Sequence, residues 1–445
     1  MEIRQLINFQ LDKKWVFVTA SKLIGMWIGV LAIDRYADQL SRILLHGATL
    51  REIQDGYSLA GLAWIGVLNF LIRMILAWLF FFHSEWFSGG LTIPESDPSE
   101  SEQEAFLCSG ATILGVHLMI WAFIMAVFYV CEKRDLPFNF CEAIPLVMRC
   151  VVGFALIAGT IGKRSRELLD IGLSLVGIYM IQSGIVGIVW NGLHAFQVLG
   201  DGGMVGICYE EVIPNVFALL VGLLLANRAR RFKDSAVYNA GVALIGIWVL
   251  AGALYWIADM GAAEWGYVMF WYKVPPCIVQ LVIGIVLSRR VMTLGKENPI
   301  LIIGMFMIGI YWMFHDFPFL IKEASTFGLL DSGDMYFFMS HVFPLILSCL
   351  IGLFLVWQSS GRNGNVAMRN GIVLVGMFML FHAIPKCVWM LCEFCVDGHW
   401  ISFYIVTKVL PPLVGLAACV LMVIFPSRIL DMLRWIRVNR AGMYV

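Results

Sequence analysis

Runs of apolar side chains about as long as a bilayer core is thick recur from one end of this chain to the other. Val16–Ile33, Phe106–Val130, Ala236–Ala258 and Phe403–Phe425 each approach the ~20 residues that carry an α-helix across the hydrocarbon. Hydrophobic residues make up 60% of the 445 positions and charged residues 14%. Soluble chains average roughly 45–50% and about 25%. One water-soluble domain cannot hide that excess, because its surface must still face water. The sequence therefore predicts an all-α integral membrane protein with the lipid bilayer as its first partner. The formal net charge is zero, so nucleic acid is not an expected partner. Met1–Trp15 is polar, and no small-residue cleavage pattern follows the first apolar run, which reads as an uncleaved span.

The apolar runs repeat as a two-part unit. The A half carries a central glycine: Gly25, Gly115, Gly177, Gly246, Gly304 and Gly376. The B half has a proline and, eight residues later, a glycine: Pro145/Gly153, Pro214/Gly222, Pro276/Gly284 and Pro344/Gly352. In the sixth copy Pro411 and Pro412 are followed by Val420 in the glycine place, and the first copy lacks the proline. Atypical terminal units are usual in repeat arrays. Glycines of this kind let membrane helices approach closely. The expected architecture is about twelve transmembrane helices in six tandem hairpins, near 15–82, 107–162, 169–227, 236–288, 299–357 and 371–425. These form a single membrane domain, with an acidic linker at 83–105 and a basic tail at 427–445.

Basic residues follow each B span, as in Lys163, Arg164 and Arg166, or Arg228, Arg230, Arg231 and Lys233. By the positive-inside rule both termini are cytoplasmic, in a plasma (inner) membrane, and the A-to-B loops face out. The linker holds Glu85, Glu95, Asp97, Glu100, Glu102 and Glu104 with no Lys or Arg. Acidic residues weigh little in orientation.

A titratable side chain stands three residues before the repeat proline in five copies: Glu142, Glu211, Lys273, His341 and Lys408. From Pro214 to Arg228 a helix rises only ~21 Å, short of the ~30 Å core. The B helices must begin before the proline, be short, or sit in thinned bilayer. Ionisable groups at that depth face a bundle interior, water or one another. The row reads either as interface anchors and structural pairs, such as Glu211 with Lys273, or as a polar pathway. Further polar groups mark the outer ends of A spans: Asp34, Asn191, His194, Asp259, His315, Asp316, His382 and Lys386. Asp316 beside the titratable imidazole of His315 is a candidate proton relay or cation site. Helix neighbours diverge by about 100°, so the alternative is a cap at a helix end broken by Pro318. Arg73 and Arg149 lie inside B spans; Arg73, in the middle of an apolar run, calls for an acidic partner or water contact, and Glu142 lies on about the same helix face as Arg149, two turns away.

Of the eleven cysteines, Cys108, Cys150, Cys277, Cys349 and Cys419 fall within spans as packing residues. Cys387, Cys392 and Cys395 fall toward the outward loops, the last two as a C-x-x-C suited to a disulfide or redox pair. No nucleotide, zinc-protease, serine-hydrolase, dinucleotide or calcium-loop motif is present, so no cofactor or metal is expected and enzymatic chemistry is the less favoured class. Three functions are compatible. The first is a transport-class protein for a small solute or ion. The second is a non-transporting subunit or scaffold with membrane protein partners. The third is a membrane thiol oxidoreductase.

Overall fold

The computed structural model describes residues 14–46, 59–88, 100–132, 140–200, 206–232, 235–262, 267–289, 298–329, 338–359, 365–397 and 409–441. Among them the secondary structure is helical, with no strand. The A segments form α1 (Lys14–His46), α4 (Glu100–Glu132), α6 (Arg166–Gly200), α8 (Ala236–Ala262), α10 (Pro299–Leu329) and α12 (Asn365–Asp397). The B segments form α2 (Leu59–Phe82), α5 (Phe140–Gly159), α7 (Gly206–Ala226), α9 (Tyr267–Ser288), α11 (Phe343–Ser359) and α13 (Leu410–Ile424). A short α3 (Ser84–Ser88) and a final α14 (Pro426–Ala441) complete the set. The acidic linker segment 83–105 is partly helical: α3 lies in it and α4 begins at Glu100.

Among the described residues six helices are long and apolar enough to cross a membrane, over Trp15–Asp38, Gln103–Tyr129, Arg166–His194, Ala236–Ala258, Pro299–Ala324 and Ala367–Ile384. All are A helices. The apolar stretches of the B helices are shorter, from Val67–Phe82 to Phe343–Ser359. The molecule is a helical membrane protein by this measure. In α5, α7 and α9 the repeat proline sits inside the helix, so these B helices begin before it.

The chain divides into two compact units. The N-terminal unit comprises Val18–Trp86 and Asp97–Arg228, and the C-terminal unit comprises Ala229–Val445 with Met1–Phe17 and Phe87–Ser96. Each contains three A–B pairs.

Within a pair the two backbones touch at small residues. A Cβ on Gly115 would fall 2.6 Å from the Gly153 carbonyl oxygen, and one on Gly177 would fall 2.6 Å from the Ala226 nitrogen. Gly309 meets the Gly352 carbonyl oxygen at 2.7 Å, and Gly25 meets the Ala77 carbonyl oxygen at 2.8 Å. No side chain fits such contacts, which replace the hydrophobic drive that lipid does not supply. They correct the expected register in two copies and supply the B position of the first. The fifth A glycine is Gly309, not Gly304. The sixth B position is Cys419, whose carbonyl oxygen lies 3.3 Å from the Gly376 Cβ position, not Val420. Ala77 fills that place in the first copy.

Gly304 instead belongs to a second row, five residues before the first. The Leu244 side chain occupies the space that a Cβ on Gly304 would need. Gly110 receives Leu23, Gly172 receives Ile113, and Gly371 receives Met307 in the same way. Each receiving glycine stands five residues before an A glycine, and each inserted side chain stands two before the preceding one. Successive A helices of a unit therefore stack by one repeated contact, as in a quasi-one-dimensional array.

The B helices turn large apolar residues outward. Leu71, Ile75 and Trp78 are exposed on α2, Val147, Val151 and Phe154 on α5, and Val216, Leu220 and Leu223 on α7. On α9 they are Ile278, Val282 and Ile285. All four triplets stand six and two residues before, and one after, the small residue of their own helix. A continuous apolar face of this kind belongs against lipid.

Polar groups gather where B helices end and A helices begin. Thr112 and Thr160 hydroxyls share a 2.6 Å hydrogen bond, and Ser174 donates to the Ala226 carbonyl at 3.0 Å. Lys163 donates to Glu104 at 2.8 Å, which raises the pKa of the exposed ammonium group above its ordinary value. Arg228 approaches Asp170 to 3.7 Å. At the other end of the chain, α14 turns from α13 by 99°. It buries Leu430 and Leu433 as it packs on α11, α12 and α13, and Arg428 lies 5.4 Å from the Phe425 ring centre.

The pair contact is testable. Gly177→Ala must push α6 and α7 apart and is expected to cost at least about 1–3 kcal/mol. Gly159, with nothing within 4 Å of its Cβ position, should accept alanine within about 0.5 kcal/mol. Thermal unfolding of both variants in one detergent measures the difference.

Candidate functional site

Helix α10 is apolar from Ile300 to Phe314, and its first ionisable side chains after that run are His315 and Asp316. Asp316 is 7% exposed. His315 Nδ1 lies 2.7 Å from Asp316 Oδ1, and the hydroxyl of Ser348 on α11 donates to Asp316 Oδ2. Neighbouring helix positions point about 100° apart, yet the short carboxylate and the longer imidazole bend toward one another and meet. Helix α10 continues through Pro318 to Leu329, so the dipeptide does not cap a broken end.

Aromatic rings surround the cluster. Tyr311, one turn earlier, stacks on the His315 ring at 4.9 Å and 30°, and Phe319 lies 6.2 Å away, one turn later. Tyr311 also meets Trp248 of α8 at 5.3 Å and Phe378 of α12 at 6.1 Å. These three rings occupy one repeat position, two residues after the A glycine. In the N-terminal unit Trp27 and His117 occupy the same position, 6.0 Å apart. The row is hidden in the sequence because its register depends on Gly309 rather than Gly304.

Ser348 belongs to a second unforeseen row. Four residues before the small B residue stand Arg73, Arg149, Ala218, Gln280, Ser348 and Gly415. Where its contacts are given, this position faces an A helix, either of its own pair or of the pair before. Gln280 Nε2 donates to the Val249 carbonyl at 3.4 Å, Arg73 is buried, and Gly415 accommodates Pro318 at 3.0 Å. Arg149 engages Asp34 of α1 with two nitrogens, Nη2 lying 3.0 Å from Oδ2. This partner comes from another pair; the side chain of Glu142, on its own helix, lies outside the described residues.

The titratable row before the prolines is placed only in part. Glu142, Glu211 and Lys273 fall in α5, α7 and α9, and their side chains lie outside the described residues, as does that of Asp259 in α8. Lys408 lies outside the described residues altogether. His341 sits, exposed, in a π-helical turn, Phe338–Val342, ahead of α11. The cluster of His315, Asp316 and Ser348 is therefore the candidate site.

The C-x-x-C pair falls on α12, which extends to Asp397 rather than ending in a loop, and the Cys392 and Cys395 side chains lie outside the described residues. Cys387, expected toward an outward loop, is buried in α12 with its thiol 3.2 Å from the Pro412 carbonyl oxygen. Among the described residues no three His, Cys, Asp or Glu side chains are grouped to hold a metal ion. No protein-family model, curated protein or solved structure matches the chain.

The Arg149–Asp34 pair has a measurable signature. Removing one partner of a largely buried pair leaves an uncompensated charge. Arg149→Met alone should therefore cost about 3–5 kcal/mol, and the double change Arg149→Met with Asp34→Leu should recover most of it. Chemical denaturation of the four members of the cycle measures the coupling.

Proposed function

We propose that this chain is a multi-pass transport-class protein of the plasma (inner) membrane that moves a small solute or ion, with His315, Asp316 and Ser348 at its working centre. The observation that carries this reading is Asp316: a buried carboxylate just past the apolar run Ile300–Phe314 of α10. Such a group is costly in a membrane and marks ion and substrate pathways. The six A–B pairs are read as twelve spans in six hairpins, the shorter B helices crossing with help from local thinning or from the residues that flank them. Both termini are then cytoplasmic, in line with the basic ends of the B helices. Two compact units of three pairs each support the same reading, because many secondary transporters are built from two repeated halves.

A second reading draws on a different observation. The glycine rows, the stacking contacts and the outward apolar face are all packing features, and they account for most of the chain. A scaffold or subunit that binds membrane protein partners needs nothing more.

Reconstituted proteoliposomes separate the two. Electrogenic or isotope-labelled flux above empty vesicles, abolished by Asp316→Asn and weakened by Ser348→Ala, is the expected result. Flux that survives neutralisation of Glu211, Lys273, His341 and Asp316 together rules out the polar pathway. Absence of flux with recovery of a stable complex favours the scaffold.

A further inference from the structure

Each unit holds one buried or half-buried carboxylate clasped by the same repeat position of its middle pair. In the N-terminal unit Arg149 clasps Asp34, and in the C-terminal unit Ser348 clasps Asp316. The two clasps differ in chemistry. A guanidinium has five donors and no acceptor, so Arg149 suits only the ionised form of Asp34. A hydroxyl both donates and accepts, and a neutral imidazole does so through its two nitrogens. Ser348 and His315 therefore serve Asp316 equally well as carboxylate or as acid. When Asp316 is ionised, the serine O–H and the imidazole N–H donate to it. When it is protonated, its own O–H donates to one of them.

We propose that Asp316 is a proton-binding site, that His315 loads and unloads it, and that Asp34 keeps one charge state throughout. This gives the transport reading above its coupling ion, and rests on that reading for its purpose. A metal cation is a poorer fit. Hard cations need several oxygen ligands, whereas both oxygens of Asp316 already face N–H or O–H donors. The loading step balances simply. A water-derived proton bonds to His315 Nε2, the Nδ1–H bond breaks, and that proton forms the Oδ1–H bond of Asp316. The imidazole is left neutral in its other tautomer, and release runs the same steps backward. The His315 side chain is 41% exposed, against 10% for Asp316, so the imidazole is the reachable member.

The groups around Asp316 fit this assignment. Tyr311 on α10 stacks on the His315 ring, and Cys349, next to Ser348 on α11, has its thiol 3.6 Å from the Met313 carbonyl oxygen. Tyr255 of α8 packs on Trp312 at 6.0 Å. His382 of α12 lies beside Phe378 at 5.4 Å, and α13 brings Gly415 against Pro318. His341 stands in the turn before α11. Lys322, further along α10, pairs with Glu323 at 2.8 Å. The two carboxylate oxygens of Asp316 thus face an imidazole and a hydroxyl, where those of Asp34 face a guanidinium.

The test is infrared difference spectroscopy on the full chain in lipid nanodiscs, stepping from alkaline to acidic pH. The expected result is a C=O stretch of a newly protonated, buried carboxyl that is lost in Asp316→Asn. Ser348→Ala should move that stretch to higher frequency, because one hydrogen bond is gone. His315→Gln should keep the band but slow its rise after a pH jump by about a hundredfold or more. Asp34→Asn should leave it unchanged. A wild-type protein with no such band, or a band of full size in Asp316→Asn, overturns the proposal. Should Asp316→Asn fail to fold, carboxyl-13C aspartate labelling combined with Ser348→Ala decides the matter, since a band that shifts with neither cannot be Asp316. A band without solute flux defeats the transport reading alone. Flux without a band defeats the proton assignment alone.

Discussion

Backbone contact at small residues holds each A helix to its B helix, and the other rows of the molecule take their register from it. Lipid tails compete with apolar side chains on equal terms, so close van der Waals approach must supply what the hydrophobic effect supplies in water. Once Gly115 touches Gly153, or Gly309 touches Gly352, the rotation of both helices is fixed. A turn of about 100° per residue then decides everything else. The B position four residues earlier points at an A helix, its own pair's for Ser348 and the preceding pair's for Arg149, and there the two make their clasps. The B positions six and two before and one after point away, where Val147, Val151 and Phe154 meet lipid. On the A helix the opposite face receives the next A helix and carries the aromatic row.

How much of this is legible in the sequence depends on range. Each helix is readable because apolar length and glycine spacing are local signals. The fifth copy reads one row off because its Gly-Met-Phe-Met at 304–307 matches the Gly-Met-Phe-Met at 376–379, a local likeness that puts Gly304 where Gly309 faces α11. The doublet Pro411-Pro412 hides Cys419 in the same way. Arg149 is visible as a buried charge, but its partner Asp34 is 115 residues away in sequence. The row of Arg73, Arg149, Gln280 and Ser348 is invisible as a row, since its residue types differ and only the packing register aligns them. His315 and Asp316 stand out at once, but their contact depends on side-chain rotamers that a helical wheel does not describe.

The two units solve one problem twice with unequal chemistry. Both bury a carboxylate beside an apolar helix pair. An arginine clasp makes one of them a fixed joint, while a serine and a histidine make the other indifferent to charge. The two chemistries share one frame, because the frame rests on small residues and the clasp on a position that the frame leaves free to vary.

The perpendicular final helix also has a mechanical meaning. Stacked repeats contact only their neighbours, so an open end is the weakest place in such an array. Helix α14, lying across α11, α12 and α13, fastens the last A–B pair to the one before it, as a tie-bar fastens the end boards of a row. Tension applied at the C-terminus reaches this tie first, through Leu430 and Leu433, before it can part α12 from α13. Helix α14 is thus a strut outside the repeat, and the order in which α12, α13 and α14 yield under load follows from how it is tied.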